Sequence, residues 1–333
     1  MSPATVAAGR LALRGAPHRL ALVPRASSVV ARSNARLFSQ TAAARSTSLP
    51  QFSMSGKVCM ITGAARGLGN EFCKAFVDSG CTSLAIVDLK QEEAEAAAAE
   101  LANYACVNSD LKPDDVKIIG VECDVSSERS VQKAFATVTS TFGRVDSVVA
   151  SAGIVENYSA FDYPFDRIKR LYDINVHGAF FTAREAARNM IPQGGGSIVL
   201  VASMSANVSH LILFSVALVL TCIHRLSTSR RFPQTPYNAS KAAVRHMASS
   251  LGVEWAKKGV RVNVLSPGYM LTKLTKTILA HDQELKKTWE SLTPMGRMGE
   301  PDDLSGAIVF LASDASRFMT GTEIRVDGGY TII

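Results

Sequence analysis

Seven short runs rich in Val and Ile recur from Lys57 onward, and a helix-like stretch separates each from the next. The runs are KVCMIT, SLAIVDL, VKIIGVECDV, VDSVVAS, GSIVLVAS, VRVNVLS and EIRVDGG. Between them lie candidate helices over 67–80, 91–105, 127–142, 165–190, 236–258 and 302–313. Strands this apolar need cover on both faces, and a helix between consecutive strands makes them parallel. The pattern predicts an α/β fold: a single Rossmann-type, doubly wound parallel sheet with helices on both faces.

The first run ends in TGAARGLG, with Thr62, Gly63, Gly67 and Gly69. Glycines there let the backbone turn tightly and approach a pyrophosphate at the positive end of the next helix. A glycine-rich turn alone is weak evidence, but this one follows a strand and opens a helix, as the chemistry requires. The second run ends in Asp88, 25 residues after Gly63. A carboxylate there accepts hydrogen bonds from an adenosine ribose and repels a 2′-phosphate, which favours NAD(H). Arg66 points the other way, since a guanidinium next to Gly67 suits the 2′-phosphate of NADP(H). The same arginine also reads as a cation facing solvent or the pyrophosphate. NAD(H) is the favoured cofactor and NADP(H) the alternative.

The stretch YNASK places Tyr237 and Lys241 four residues apart at a helix start, hence on one face. A free phenol with a pKa near ~10 is a poor proton shuttle at neutral pH. A nearby ammonium favours the phenolate and lowers that value. Alone, this spacing is common and most often a solvated pair. Joined to the phosphate loop it becomes specific.

With these motifs in order, the chain resembles the classical short-chain dehydrogenases/reductases from about Met54 to Ile333. The likeness rests on the glycine-rich turn, Asp88, Asp124 in CDVS, SAG at 151–153, and Asn175 in DINVHGAF. It continues through Ser203, Tyr237, Lys241, SPG at 266–268 and DGG at 327–329. The resemblance implies that Ser203 holds the substrate oxygen, Tyr237 passes the proton, and Lys241 holds the ribose and tunes Tyr237. Asn175 would hold a water in the proton path; a buried, backbone-bonding asparagine is the plain alternative. Asp124 would bind adenine, or else partner a helix N-terminus that Ser126 or Ser127 caps equally well. Thr272 would contact the nicotinamide carboxamide. Leu68, Val125, Ala152, Gly153, Pro267 and Gly268 complete the implied cofactor contacts. Ser151 departs from the usual asparagine, and Ser205 competes with Ser203, which is preferred because it directly ends its strand.

Substrate choice is expected from Ile154 to Tyr158, from residues after Ser203, and from a loop between Tyr269 and Met298. Glu156, Asn157 and Tyr269 are the polar candidates. PYNASKAAV with PMGRMGEPDDL is similar to polyol and ketose members, the arabinitol, sorbitol, xylulose and sorbose enzymes. The expected reaction interconverts a secondary alcohol and a ketone on a small-molecule substrate. A 3-oxoacyl-type reductase and an NAD(H)-binding protein without turnover are the alternatives. The family also implies a homo-oligomer, dimer or tetramer, with the 165–190 and Tyr237 helices packed across a two-fold axis.

The net charge of +7 invites a nucleic-acid reading. Its location removes that reading, because seven Arg and no acid fall within residues 1–52, which leaves the remainder neutral. Residues 1–52, rich in Arg, Ala and Ser, read as a mitochondrial transit peptide and linker, with the matrix as destination and the cytoplasm as the alternative. Residues 53–333 form the catalytic domain. Six cysteines without C-x-x-C or metal spacing read as reduced core residues, so no metal is expected.

One segment does not fit. Ser203 and Tyr237 are 34 positions apart, about twenty more than a short strand-to-helix loop needs. The excess, about 209–231, has an apolar core from Leu211 to Ile223 and a basic tail. At 13 residues this core is too short to span a bilayer as a helix, so no stable membrane anchor is expected. A lid over the site and a retained intron stay open. Val208-Ser209 can be encoded by GTAAGC or GTGAGC, which resemble a splice donor.

Overall fold

A computed structural model describes residues 49–108, 111–207 and 233–332. Residues 1–48 of the expected leader, the insertion at about 209–231 and Cys222 lie outside the described residues.

Each of the seven anticipated strands is present: β1 Val58–Thr62, β2 Ser83–Asp88, β3 Lys117–Glu122, β4 Ser147–Ala150, β5 Gly196–Val201, β6 Val260–Pro267 and β7 Glu323–Val326. They form one sheet in the order β3-β2-β1-β4-β5-β6-β7, every neighbour parallel. The helices are α1 Gly67–Asp78, α2 Gln91–Asn108, α3 Glu128–Phe142, α4 Phe165–Tyr172, α5 Ala179–Met190, α6 Thr235–Trp255, α7 Lys273–Ala280, α8 Gln283–Ser291 and α9 Ser305–Ala312.

Strand periodicity sorts the apolar side chains into two cores. Val58 and Met60 of β1 face one side with Val148, Ile198, Leu200, Val262 and Val264. There they meet Phe135 of α3, Ala183 and Met190 of α5, and Val244 and Trp255 of α6. Cys59 and Ile61 face the other side with Leu84, Ile86, Val149 and Val199, under Phe72 and Phe76 of α1, Leu101 of α2 and Ile308 of α9. Successive residues of a strand point to opposite faces, so every strand needs a helix layer on each side. Phe72, Phe76 and Phe135 are among the largest fully buried side chains. Truncating any one to alanine removes about 3–5 kcal/mol.

Two expectations need correction. The helix anticipated over 165–190 is not uniform: a π-helical turn, Asp173–Gly178, separates α4 from α5. The stretch between Tyr269 and Met298 is not a plain loop but carries α7 and α8, the latter capped by Asp282, whose side chain accepts from Leu285 N.

The chain runs outward from β1 to β3, then returns to β4 on the other side of β1. This reversal opens a crevice beyond the C-terminal ends of β1 and β4, where ligands of open α/β sheets bind. Thr62 and Ala150 pair across it.

Candidate active site

The crevice floor is set by backbone. Gly63 has φ +66°, a left-handed value that glycine tolerates, and an added Cβ would lie 2.7 Å from Ala152 Cα. At Gly69 a Cβ would lie 2.3 Å from Gly63 O. The turn therefore folds onto itself and against the 151–153 loop, whose Ser151 and Ala152 amides donate to Thr62 Oγ1 at 3.2 and 3.4 Å. Gly67 differs: φ is +65°, and its Cβ direction meets nothing within 4 Å. A pyrophosphate fits that open side, at the start of α1. Leu68 packs against the core below.

Asp88 sits at the end of β2 with both oxygens fixed. Oδ2 accepts from Ala65 N at 2.9 Å and Oδ1 from Leu89 N at 2.8 Å. Its charge thus borders the glycine-rich turn. Arg66 is 82% exposed at the side chain and pairs with Glu93 of α2 at 3.2 Å. Asp124 is exposed, and its Oδ1 accepts from Ser126 N and Oγ. Ser127, not Asp124, caps α3. Val125 is buried under the same loop.

The candidate reacting groups gather from β5, the π-turn and α6. Ser203 leaves β5 and caps a single 3-10 turn, its Oγ accepting from Ser205 N at 3.2 Å. Ser203 is half-buried and Ser205 buried, and it is Ser203 whose hydrogen bonding reaches the Tyr237 phenol.

Lys241 is buried, and its Nζ donates to Val201 O at 3.0 Å and lies 5.8 Å from the Tyr237 ring centroid. Burial brings its pKa down to about 8. Burial likewise raises Tyr237, with the Ser203 hydrogen bond pulling it back. The expected lowering of Tyr237 by Lys241 is therefore not what governs the phenol here; desolvation outweighs it.

Asn175 lies in the π-turn, 1% exposed. Its Oδ1 accepts from Ile154 N at 2.8 Å, and its Nδ2 donates to Ile154 O at 2.9 Å and Ser240 Oγ at 3.1 Å. Every side-chain group of Asn175 has a partner, as the buried, backbone-bonding alternative anticipated. Ser240, absent from the sequence-derived set, thereby joins α6 to Asn175. Gly153 sits between the two groups: a Cβ there would lie 3.3 Å from both Asn175 Oδ1 and Lys241 Nζ. A π-turn inserts one residue into a helix and re-aims what it carries, which is how Asn175 faces Ile154 in the loop after β4.

Pro267 and Gly268 close β6, and Gly268 N donates to Val326 O. Thr272 does not point freely into the crevice. Its Oγ1 accepts from Thr275 N at 3.3 Å, the arrangement of a cap on α7. Tyr269 stacks on Trp289 of α8 at 4.1 Å and 8°, and meets Tyr330 edge-on at 5.4 Å. Glu156 forms a two-pronged pair with Arg167, and Asn157 accepts from Gln234 Nε2 at 2.7 Å. Glu156 is thus already neutralised.

Among the described residues no group of His, Cys, Asp or Glu is placed to hold a metal, and no helix is long and apolar enough to cross a membrane. Cys59, Cys73, Cys81 and Cys123 are buried free thiols. A surface depression of about 530 Å3 lined by Ser55, Gly56, Asp78 and Thr82 lies at the opposite ends of the strands and holds none of the candidate residues.

Comparison with known proteins agrees with this geometry. Residues 57–215 match the family described as short chain dehydrogenase, and 218–331 one described as enoyl-(acyl carrier protein) reductase. D-arabinitol 2-dehydrogenase [ribulose-forming] of Scheffersomyces stipitis is 34% identical over 289 residues, 85% of this chain and 96% of that protein. NADH-dependent L-xylulose reductase of Ambrosiozyma monospora is 34% identical over 288 residues, 85% of this chain and 98% of that protein. Among solved structures, gluconate 5-dehydrogenase from Burkholderia cenocepacia, in complex with NADP and tartrate, superposes with a TM-score of 0.72. It is 28% identical, covering 85% of this chain and 98% of that one.

Proposed function

The chain belongs to the short-chain dehydrogenase/reductase family, and on that premise we propose that it interconverts a polyol and its ketose with NAD(H). It is an NAD(P)-dependent oxidoreductase that interconverts a secondary alcohol and a ketone. Likeness along the whole catalytic body to enzymes named for arabinitol and xylulose carries the substrate class.

The residues fit a dinucleotide: Gly67 leaves open space at the start of α1, and Asp88 is fixed by the amide of Ala65 in the same turn. The glycine-rich turn with Leu68 would take the pyrophosphate, Asp88 the adenosine ribose, and Asp124 with Val125 the adenine. Ala152, Gly153, Lys241, Pro267, Gly268 and Thr272 would border the nicotinamide half. When bound, the nicotinamide supplies or accepts the hydride.

The chain's own groups do the rest. Ser203 Oγ holds the substrate oxygen. In ketone reduction Tyr237 Oη gives that oxygen its proton, and in alcohol oxidation it takes the proton away. Lys241, buried beside the Tyr237 ring and protonated below about pH 8, would hold the ribose hydroxyls and offset part of the burial that raises the phenol. Asn175 fixes Ile154 at the crevice edge, and a water there would complete the proton path.

The fixed Asp88 charge, held against the glycine-rich turn, supports NAD(H). Initial rates with a panel of polyols, ketoses and a 3-oxoacyl thioester, each with both cofactors, test the proposal. Polyol and ketose turnover with NAD(H) is expected. Turnover confined to the thioester, or faster with NADP(H), would overturn it.

The leader composition supports delivery to the mitochondrial matrix, checked by the N-terminus of the mature chain. Exposed Phe165 on α4 and Val253 on α6 support a homo-oligomer, checked by light scattering. For 209–231 we favour a retained intron. Transcripts lacking that stretch are expected as the main form, and transcripts that keep it would count against this.

A further inference from the structure

Glu323, the first residue of β7, is 15% exposed at its side chain although it opens an edge strand, where a carboxylate ordinarily faces water. Its Oε1 accepts from Ser266 Oγ at 2.6 Å and from Asn207 Nδ2 at 2.7 Å. Its Oε2 lies 4.0 Å from an Arg245 guanidinium nitrogen. Hydrogen bonds to a carboxylate are short and strong, and a shielded one needs its partners.

The three partners belong to three different parts of the site. Asn207 ends the 3-10 turn that Ser203 begins: Ala206 N donates to Ser203 O and Asn207 N to Met204 O, both at 2.9 Å. Ser266 is fully buried and directly precedes Pro267 and Gly268. Arg245 lies on α6 one helical turn beyond Lys241 and two beyond Tyr237. One carboxylate therefore touches the turn bearing the substrate-holding serine, the turn bordering the nicotinamide, and the helix bearing the proton donor.

We propose that Glu323 is a positioning residue that keeps the Ser203 turn, the Pro267–Gly268 turn and α6 in one register. It touches none of the reacting groups and acts through Asn207, Ser266 and Arg245. The inference rests on the roles given above to Ser203 and Tyr237. Both neutral donors converge on Oε1, so an amide in place of the carboxylate keeps that acceptor and loses only the charge facing Arg245.

The test measures kcat, KM, NADH affinity and melting temperature for Glu323→Ala, Glu323→Gln, Asn207→Ala and Ser266→Ala. Glu323→Ala is expected to lower kcat about tenfold and raise the NADH Kd severalfold, and Glu323→Gln to hold kcat within about threefold. Asn207→Ala is expected to lower kcat with the NADH Kd unchanged, and Ser266→Ala chiefly to raise the Kd. A Glu323→Ala protein that melts earlier but keeps kcat, KM and Kd within about twofold would reduce Glu323 to a structural role and overturn the proposal. So would a Glu323→Gln protein as impaired as Glu323→Ala. Should Glu323→Ala not fold, an unchanged kcat in Asn207→Ala overturns the proposal and a lowered one supports it. If the unsubstituted chain turns over no alcohol or ketone, the functional reading fails separately. NADH affinity in Ser266→Ala then decides: a raised Kd supports the positioning role and an unchanged one overturns it.

Discussion

The two sides of the crevice are shaped by different means. On the β1–β2 side the form comes from backbone clearance: a Cβ at Gly69 would meet Gly63 O at 2.3 Å, and one at Gly63 would meet Ala152 Cα at 2.7 Å. Its charged groups, Arg66 and Asp124, lie at the exposed rim. On the β5–β6 side the form comes from buried polar side chains, with Asn175, Ser240, Lys241 and Ser266 between 0% and 6% exposed. The first side tolerates changes of charge and not of volume. The second depends on individual hydrogen bonds, whose loss leaves a buried group unpaired. Substitutions in the glycine-rich turn should therefore act chiefly on cofactor binding, and substitution of Tyr237 chiefly on proton transfer.

The largest expected effect is at Tyr237. Tyr237→Phe keeps the ring and removes the proton donor, so kcat should fall about 1000-fold while NADH affinity stays nearly unchanged, as steady-state rates and fluorescence titration would show. A parallel loss of affinity would mean that the two sides are not separable.

Next is Lys241, whose folded-state pKa of about 8 lies below the ordinary value for a lysine. Between about pH 8 and pH 10.4 the unfolded chain holds a proton that the folded chain has released, so the stability of the cofactor-free protein rises with pH across that window. The rise is at most ~3 kcal/mol. Tyr237, raised by burial, opposes it above about pH 10. Urea unfolding at successive pH values should show the slope, and Lys241→Met should flatten it.

Gly69→Ala comes third. The Gly63 carbonyl must move, at about 1–3 kcal/mol, with the NADH Kd raised about tenfold or more and less change in kcat at saturating cofactor. The remaining effects concern Asp88, fixed beside the turn, and Arg66 at the rim. Asp88→Ala should shift the NADH-to-NADPH preference about tenfold toward NADPH, whereas Arg66→Ala should alter NADH affinity less than about twofold, because exposed ion pairs contribute little.

What was legible in the sequence divides along the same line. Alternating apolar strands and a glycine-rich turn are local patterns, so all seven strands and the cofactor side could be read from short windows. The buried network could not, because Asn175 meets Ile154 and Ser240 across 21 and 65 positions. The π-turn at Asp173–Gly178 leaves no mark in a helical pattern that continues on both sides of it. The helices α7 and α8 are short, and no local pattern marks Thr272, expected at the cofactor, as the residue that also caps α7. Asp282 three residues before Leu285 was the cap signal for α8. The inward turn of Glu323 follows only from β7 lying beside β6.

The central claim is that this crevice interconverts a polyol and its ketose, the hydride passing between the carbinol carbon and the nicotinamide and the proton through Tyr237. The most direct measurement mixes the full chain with a ketose and NADH carrying deuterium at the transferable position of nicotinamide C4, then locates the label. One deuterium on the new carbinol carbon, with transfer lost in Tyr237→Phe while NADH stays bound, is the expected result. Binding of NADH with no label reaching any ketose or ketone would contradict the claim and leave a nicotinamide-binding protein without turnover.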